Sequence, residues 1–206
     1  MQERLYKAKA ANAPMFVLAH GAGAGHDHPW MKRVAQGLAG RGVTTVTFNF
    51  PYTEAGKRIP DRRPVLEAAF ADMWTTIAGK AEGPMFAGGK SMGGRIASQV
   101  AALGDFSPAP AGLVFFGYPL HPPGRPEKRR DRHLPDVEPP MLFVEGTRDP
   151  FASPEEMREL VGGLPRATLE IIEDGDHSLV ATKKRDPGRN TLERVMDVTA
   201  EWMLSR

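Results

Sequence analysis

The stretch Ala87-Gly88-Gly89-Lys90-Ser91-Met92-Gly93-Gly94-Arg95 constrains this chain more than any other, because Ser91 stands in Gly89-Lys90-Ser91-Met92-Gly93, a match to G-x-S-x-G. The pattern requires a strand that runs into a sharp turn and straight out into a helix, which lifts the serine oxygen clear of the backbone. Both flanks satisfy it. Pro84-Met85-Phe86-Ala87 is a short apolar run suited to a buried strand, and Ile96, Val100 and Leu103 follow at helical spacing. The glycines have a steric reason: a residue at such a turn sits in a strained conformation, and side chains at positions 89 and 93 would collide where strand and helix nearly touch. Ala97, Ala101 and Ala102 let the helix lie close to a sheet. Gly89-Lys90-Ser91 also imitates the end of a phosphate-binding loop, but that motif needs a glycine where Pro84 stands.

A second glycine-rich loop, His20-Gly21-Ala22-Gly23-Ala24-Gly25, follows the apolar run Met15-Phe16-Val17-Leu18. It fails as a dinucleotide cradle, because G-x-G-x-x-G counted from Gly21 ends at His26 and from Gly23 at His28. It suits the other use of such a loop, which is to turn a backbone N–H toward an oxyanion. His20, His26 and His28 have no cysteine or carboxylate cluster to complete a metal-ligand set, so His20 is read as a brace for the loop and no metal is expected.

The rest of the chain alternates strand and helix. Trp30, Met31, Val34, Ala35 and Leu38 form a helical stripe ended by Gly40 and Gly42, and residues 44–50 read as a strand. Asn49-Phe50-Pro51-Tyr52 then leaves the sheet, which makes Tyr52 a candidate for the wall of a site, with a rim tyrosine of no role as the equal alternative. Asp61 is the expected cap of the next helix, whose stripe is Leu66, Phe70, Trp74 and Ile77. Gly112-Leu113-Val114-Phe115-Phe116 and Met141-Leu142-Phe143-Val144-Glu145 are apolar runs of strands covered on both faces. A capping box, Ser153-Pro154-Glu155-Glu156, opens a helix, residues 167–173 form the last strand, and a helix carrying Leu192, Val195, Met196, Trp202 and Met203 closes the chain. This order predicts a mostly parallel sheet in one domain over residues 1–206.

Residues 117–140 interrupt the pattern with seven prolines and the basic cluster Arg125, Lys128, Arg129, Arg130 and Arg132. A solvated charged face is one reading of that loop, and an edge that recognises anions is the other. Basic residues exceed acidic ones by a formal net charge of only +2, which does not argue for nucleic acid. The absence of cysteine excludes disulfides, thiolate metal sites and a thiol nucleophile. The first apolar run is too short for a membrane span or a signal-peptide core, so the expected compartment is the cytoplasm.

Asp149, in Gly146-Thr147-Arg148-Asp149-Pro150-Phe151, and His177, in Asp174-Gly175-Asp176-His177-Ser178, each follow a strand, as Ser91 does, so a parallel sheet places all three at one edge. A serine hydroxyl becomes a competent nucleophile when a base takes its proton, and the base works best when a carboxylate holds its tautomer. Asp149 follows its own strand and is preferred for that role over Asp174 and Asp176.

The order serine, acid, histidine, with G-K-S-M-G-G, G-T-R-D-P-F and D-G-D-H-S, resembles the α/β-hydrolase superfamily, and within it the small lidless serine hydrolases related to dienelactone hydrolase and bacterial carboxylesterases. The resemblance implies an α/β three-layer sandwich, with a mostly parallel central sheet of about six or seven strands, helices on both faces and no folded lid. It implies an acyl-enzyme on Ser91, with the oxyanion held by the N–H of Met92 and of Ala22 or Gly23, and no cofactor. Dienelactone hydrolases carry cysteine where Ser91 stands, so their particular reaction is not implied. Phe116, Tyr118, Leu120 and Phe151, together with Tyr52, are the expected apolar wall for a small or medium acyl ester or thioester. The expected partner is that small molecule, without nucleic acid or membrane, the protein acting as monomer or homodimer. A non-catalytic binding protein of the same fold, using the basic loop, is the alternative function.

Overall fold

Most of the central strands form from runs that are apolar on both faces, and the structure assembles them with a polar, exposed edge strand into one sheet. The computed structural model describes residues 1–186 and 190–206. Strand β1 (Glu3–Tyr6) leads to β2 (Met15–Ala19), helix α1 (Pro29–Gly40), β3 (Thr44–Phe48), the short α2 (Pro51–Glu54) and α3 (Arg63–Ala78). Then come β4 (Met85–Lys90), α4 (Met92–Ala102), β5 (Gly112–Phe116), β6 (Met141–Gly146), α5 (Pro154–Gly162), β7 (Ala167–Ile172) and α6 (Thr191–Leu204). The strand order is β1-β3-β2-β4-β5-β6-β7, with β1 antiparallel to β3 and every other pairing parallel.

Alternation along the central strands sorts side chains into two cores. Val17, Ala19, Ala87, Leu113, Phe115 and Phe143 face α3, α4 and α5, where they meet Phe70, Trp74, Ile96, Val100 and Met157. Phe16, Leu18, Phe86, Val114, Phe116 and Val144 face α1 and α6, where they meet Met31, Val34, Leu38, Val195, Met196 and Met203. A strand covered on both faces has no polar side, which is why these runs show no hydrophobic alternation in sequence. The parallel pairing also puts the carboxyl ends of β2 to β7 on one edge, where ligand sites of open α/β sheets lie.

The capping box of α5 is present, with Ser153 Oγ accepting from Glu156 N–H and the Glu156 carboxylate accepting from Ser153 N–H. Asp61 does not cap α3. The cap position is Arg62, whose side chain makes no capping bond, while Asp61 is turned into a cavity. The loop 117–140 carries a single 3₁₀ turn, Leu134–Asp136. Among the described residues, no helix is long and apolar enough to cross a membrane.

Candidate active site

Strand β4 delivers Ser91 at φ 50° and ψ −116°, a left-handed backbone that a β-bearing residue adopts only under constraint. The constraint comes from both sides of the turn. Ser91 N–H donates to Phe116 O at 2.9 Å and Ser91 O accepts from Arg95 N–H at 3.1 Å, while Ile96 and Val100 anchor α4 in the core. Burying each of those two side chains is worth about 1.5–3 kcal/mol. The glycines permit the approach: a Cβ on Gly93 would lie 2.5 Å from Ala19 O, and one on Gly89 would lie 2.5 Å from the same oxygen.

Ser91 Oγ is 2.9 Å from His177 Nε2, and His177 Nδ1 is 2.6 Å from Asp149 Oδ2. Asp149 Oδ1 accepts from Phe151 N–H at 2.9 Å, and the Phe151 ring lies against the imidazole with centroids 4.3 Å apart. The other two candidate acids have structural uses. Asp176 accepts from the N–H groups of Ser178 and Val180, and Asp174 bonds Thr182 and pairs with Arg148. Trp30 Nε1 donates to Ser178 O at 2.9 Å, which ties the histidine loop to the start of α1.

Beneath the imidazole lies a buried charge system that the sequence reading passed over. Glu145, the penultimate residue of β6, is completely buried, and its Oε2 accepts from Tyr118 N–H at 2.8 Å. Burial, then the adjacent Asp149 carboxylate, raises Glu145 well above the ordinary carboxyl value, against the opposing charge of Lys90. Asp149 moves the other way. Burial pushes it up, but the hydrogen bonds of His177 and Glu145 outweigh that and hold it below its ordinary value. Of the two carboxyls, Glu145 therefore keeps the proton and Asp149 the charge. Lys90 is buried with its Nζ free of any hydrogen-bond partner among the described residues, 6.0 Å from the Trp30 ring centroid. Burial lowers it to about 8, against the carboxylate of Asp149 first and also that of Asp176. A glutamate inside an otherwise apolar strand was the available signal, because such a group is rarely buried without a partner.

The glycine loop is held by His20. Its Nε2 accepts from Phe50 N–H at 3.2 Å, so Nδ1 carries the proton and donates to Gly21 O at 2.8 Å. Burial lowers His20 to about 4, which keeps it neutral. His26 N–H donates to Asn49 Oδ1, and His28 Nδ1 accepts from Trp30 N–H at the start of α1.

A cavity of about 530 Å³ opens over Ser91 and His177, lined by Gly21, Ala22, Trp30, Met92 and Phe151 among others. Of the expected apolar wall, only Phe151 reaches it. Tyr52, Phe116, Tyr118 and Leu120 are fully buried beneath it, Phe116 against Phe16 and Trp30 and the other three in the core under α3 and α4. Residues at strand ends turn under the covering helices instead of projecting off the edge. The apolar wall is instead Trp30, Met31, Leu66 and Phe151, three of them from the first turns of helices whose stripes looked purely structural. Of the basic loop, Arg130 alone lines the cavity; Arg125, Lys128, Arg129 and Arg132 are exposed elsewhere. Gly23 lies outside the lining and Ala22 within it.

A mostly parallel sheet whose central strand turns through a strained serine into a helix, with histidine and acid loops converging from later strands, defines the α/β-hydrolase fold. A family model described as an alpha/beta hydrolase domain matches residues 12–204, and the chain belongs to that family. Est1E from Butyrivibrio proteoclasticus, in a structure with bound ferulic acid, is similar with a TM-score of 0.78 at 16% identity over 99% of this chain and 94% of its own. Dienelactone hydrolase from Anabaena variabilis is similar at 0.74 and 20% identity over 98% and 90%. An alpha-beta serine hydrolase homologue from Coxiella burnetii follows at 0.73 and 15% over 97% and 89%. At these identities the likeness is one of fold.

Proposed function

We propose that this protein is a serine hydrolase that cleaves small or medium acyl esters or thioesters through an acyl-enzyme on Ser91. The observation that carries this reading is the continuous relay from Ser91 Oγ through His177 to Asp149, at 2.9 and 2.6 Å, opening into a cavity. In it His177 Nε2 takes the hydroxyl proton as Ser91 Oγ bonds to the acyl carbon, then returns that proton to the departing alkoxide or thiolate. Water then enters, gives a proton to the same nitrogen and attacks the acyl carbon, releasing the acid and restoring Ser91. Asp149 holds the Nδ1–H tautomer and stabilises the imidazolium. Met92 is the first residue of α4, so its N–H has no intrahelical partner and is available to the oxyanion; the position of Ala22 on the cavity favours it over Gly23 as the second donor.

The test is labelling by a fluorophosphonate probe together with turnover of phenyl esters. Ser91→Ala is expected to abolish both while the melting temperature stays within a few degrees of the parent. Asp149→Asn is expected to keep the fold and lower kcat by about ten-thousand-fold, the scale of that change in other Ser-His-Asp sites. Labelling that persists in Ser91→Ala would sink the assignment of Ser91 as the nucleophile, and a parent protein that takes no label and turns over no ester would favour a binding role.

A further inference from the structure

The cavity over Ser91 is positively charged on one side, and those charges come from three separate elements. Arg63 begins α3, Arg95 lies in α4, and Arg130 projects from the loop between β5 and β6. Arg63 donates to Glu67 at 2.7 Å. Arg95 and Arg130 are different: both are half-buried, and among the described residues no ion pair joins either to a carboxylate. The Nε of Arg95 is buried with no hydrogen-bond partner. Asp61, the carboxylate on the cavity wall, is paired with none of the three.

Several other arginines do pair with carboxylates, Arg129 with Asp131 and Arg148 with Asp174 for example. Two unpaired guanidiniums brought together out of bulk water repel each other and lose solvation, which is unfavourable unless an anion arrives. Burial first, and then the charges of Arg130 and Arg63, pull Arg95 below the ordinary guanidinium value, while Tyr118 and Glu67 oppose this. His133 behind them is lowered to about 4 by burial and by Arg63 and Arg95, so it adds no further positive charge at neutral pH.

We propose that Arg95 and Arg130, with Arg63 at the rim, form a subsite for a carboxylate carried by the ester substrate itself. The guanidinium fork matches a carboxylate through two parallel N–H···O bonds. Arg130 is held for this by its backbone, with its N–H donating to Leu120 O at 2.8 Å and its carbonyl accepting from Tyr118 Oη at 3.1 Å. Arg95 lies four residues beyond Ser91, just over one helical turn and about 6 Å along the axis, so the carboxylate is separated from the scissile carbonyl by a short spacer. The preference of the site is thus for half-esters of short dicarboxylic acids or for esters with an acidic leaving part. The turnover consequence rests on Ser91 being the nucleophile; the binding consequence does not.

Two matched pairs test it: phenyl valerate against monophenyl glutarate, with the charge on the acyl part, and methyl 4-acetoxybenzoate against 4-acetoxybenzoate, with the charge on the leaving part. In at least one pair the anionic member is expected to have the higher kcat/KM. Arg95→Gln and Arg130→Gln are each expected to cut that preference by about tenfold or more, the scale of a lost charge-assisted hydrogen bond. Arg129→Gln, exposed and off the cavity, should leave the ratio unchanged. In parallel, titration calorimetry of glutarate into Ser91→Ala protein is expected to show saturable binding that Arg95→Gln weakens to a similar degree. Bound glutarate with no ester turned over would overturn the hydrolase reading and keep the subsite. Neutral esters preferred in both pairs, or an anionic preference that survives both substitutions, would overturn the subsite.

Discussion

Glu145 shows how a single side chain is governed by its surroundings more than by its type. A carboxyl that stays protonated in the fold makes folding take up a proton. Unfolded glutamate releases its proton at about pH 4.3, whereas folded Glu145 holds on well above that value, because burial and the Asp149 charge oppose ionisation more than Lys90 favours it. Between those two values the native state binds more protons than the unfolded chain, so the contribution of Glu145 to stability is full at low pH and declines as pH rises. Glu145→Gln retains an acceptor for Tyr118 N–H and a donor toward Asp149 without titrating. The unfolding free energy of the variant relative to the parent should therefore increase from pH 5 to pH 8 in urea titrations. A difference that does not vary with pH would mean that Glu145 is ionised in the fold.

At the scale of elements, the serine turn depends on how closely α4 approaches β2 and β4. A methyl group on Gly93 meets the backbone of Ala19 and His20, and backbone cannot rotate out of the way as a side chain can. Gly93→Ala is expected to destabilise by about 1–3 kcal/mol, the range for overpacking, and to displace Ser91 from His177 so that ester turnover falls with it. Gly40, at the end of α1, has open space where its Cβ would stand and no left-handed backbone, so Gly40→Ala is the control, with stability equal to the parent or slightly higher. Thermal melts of the two variants check this, and equal behaviour would show that the approach of α4 is not the limiting contact.

Over the whole molecule, the loop 117–140 holds only a 3₁₀ turn and supplies no helices to roof the cavity, so under the proposed hydrolase reading it is the feature expected to limit substrate size. The apolar wall of Trp30, Met31, Leu66 and Phe151 offers burial to a short chain. Each methylene that enters gains about 0.8 kcal/mol, and methylenes beyond the wall gain nothing because they remain in water. In a series of neutral phenyl esters, kcat/KM is expected to rise through the first few carbons and then level off by about hexanoate. A continued rise to dodecanoate would show a covered tunnel, contrary to the open cavity.

What the sequence by itself determined is what depends on neighbours along the chain. The alternating elements, the capping box of α5, the turn through Ser91 and the placing of Asp149 and His177 after their own strands all follow from local pattern, and parallel pairing then brings the carboxyl ends of β2 to β7 to one edge. The tertiary structure decided which side chains look into the cavity and which ionise. Tyr52, Phe116, Tyr118 and Leu120 sit next to the edge in sequence yet turn beneath it, whereas Arg95 and Leu66, on helices, face inward to the site. The direction of a side chain is set by packing against elements distant in sequence. The protonation of Glu145 likewise follows from desolvation by groups such as Lys90 and Asp149 that no local pattern places beside it.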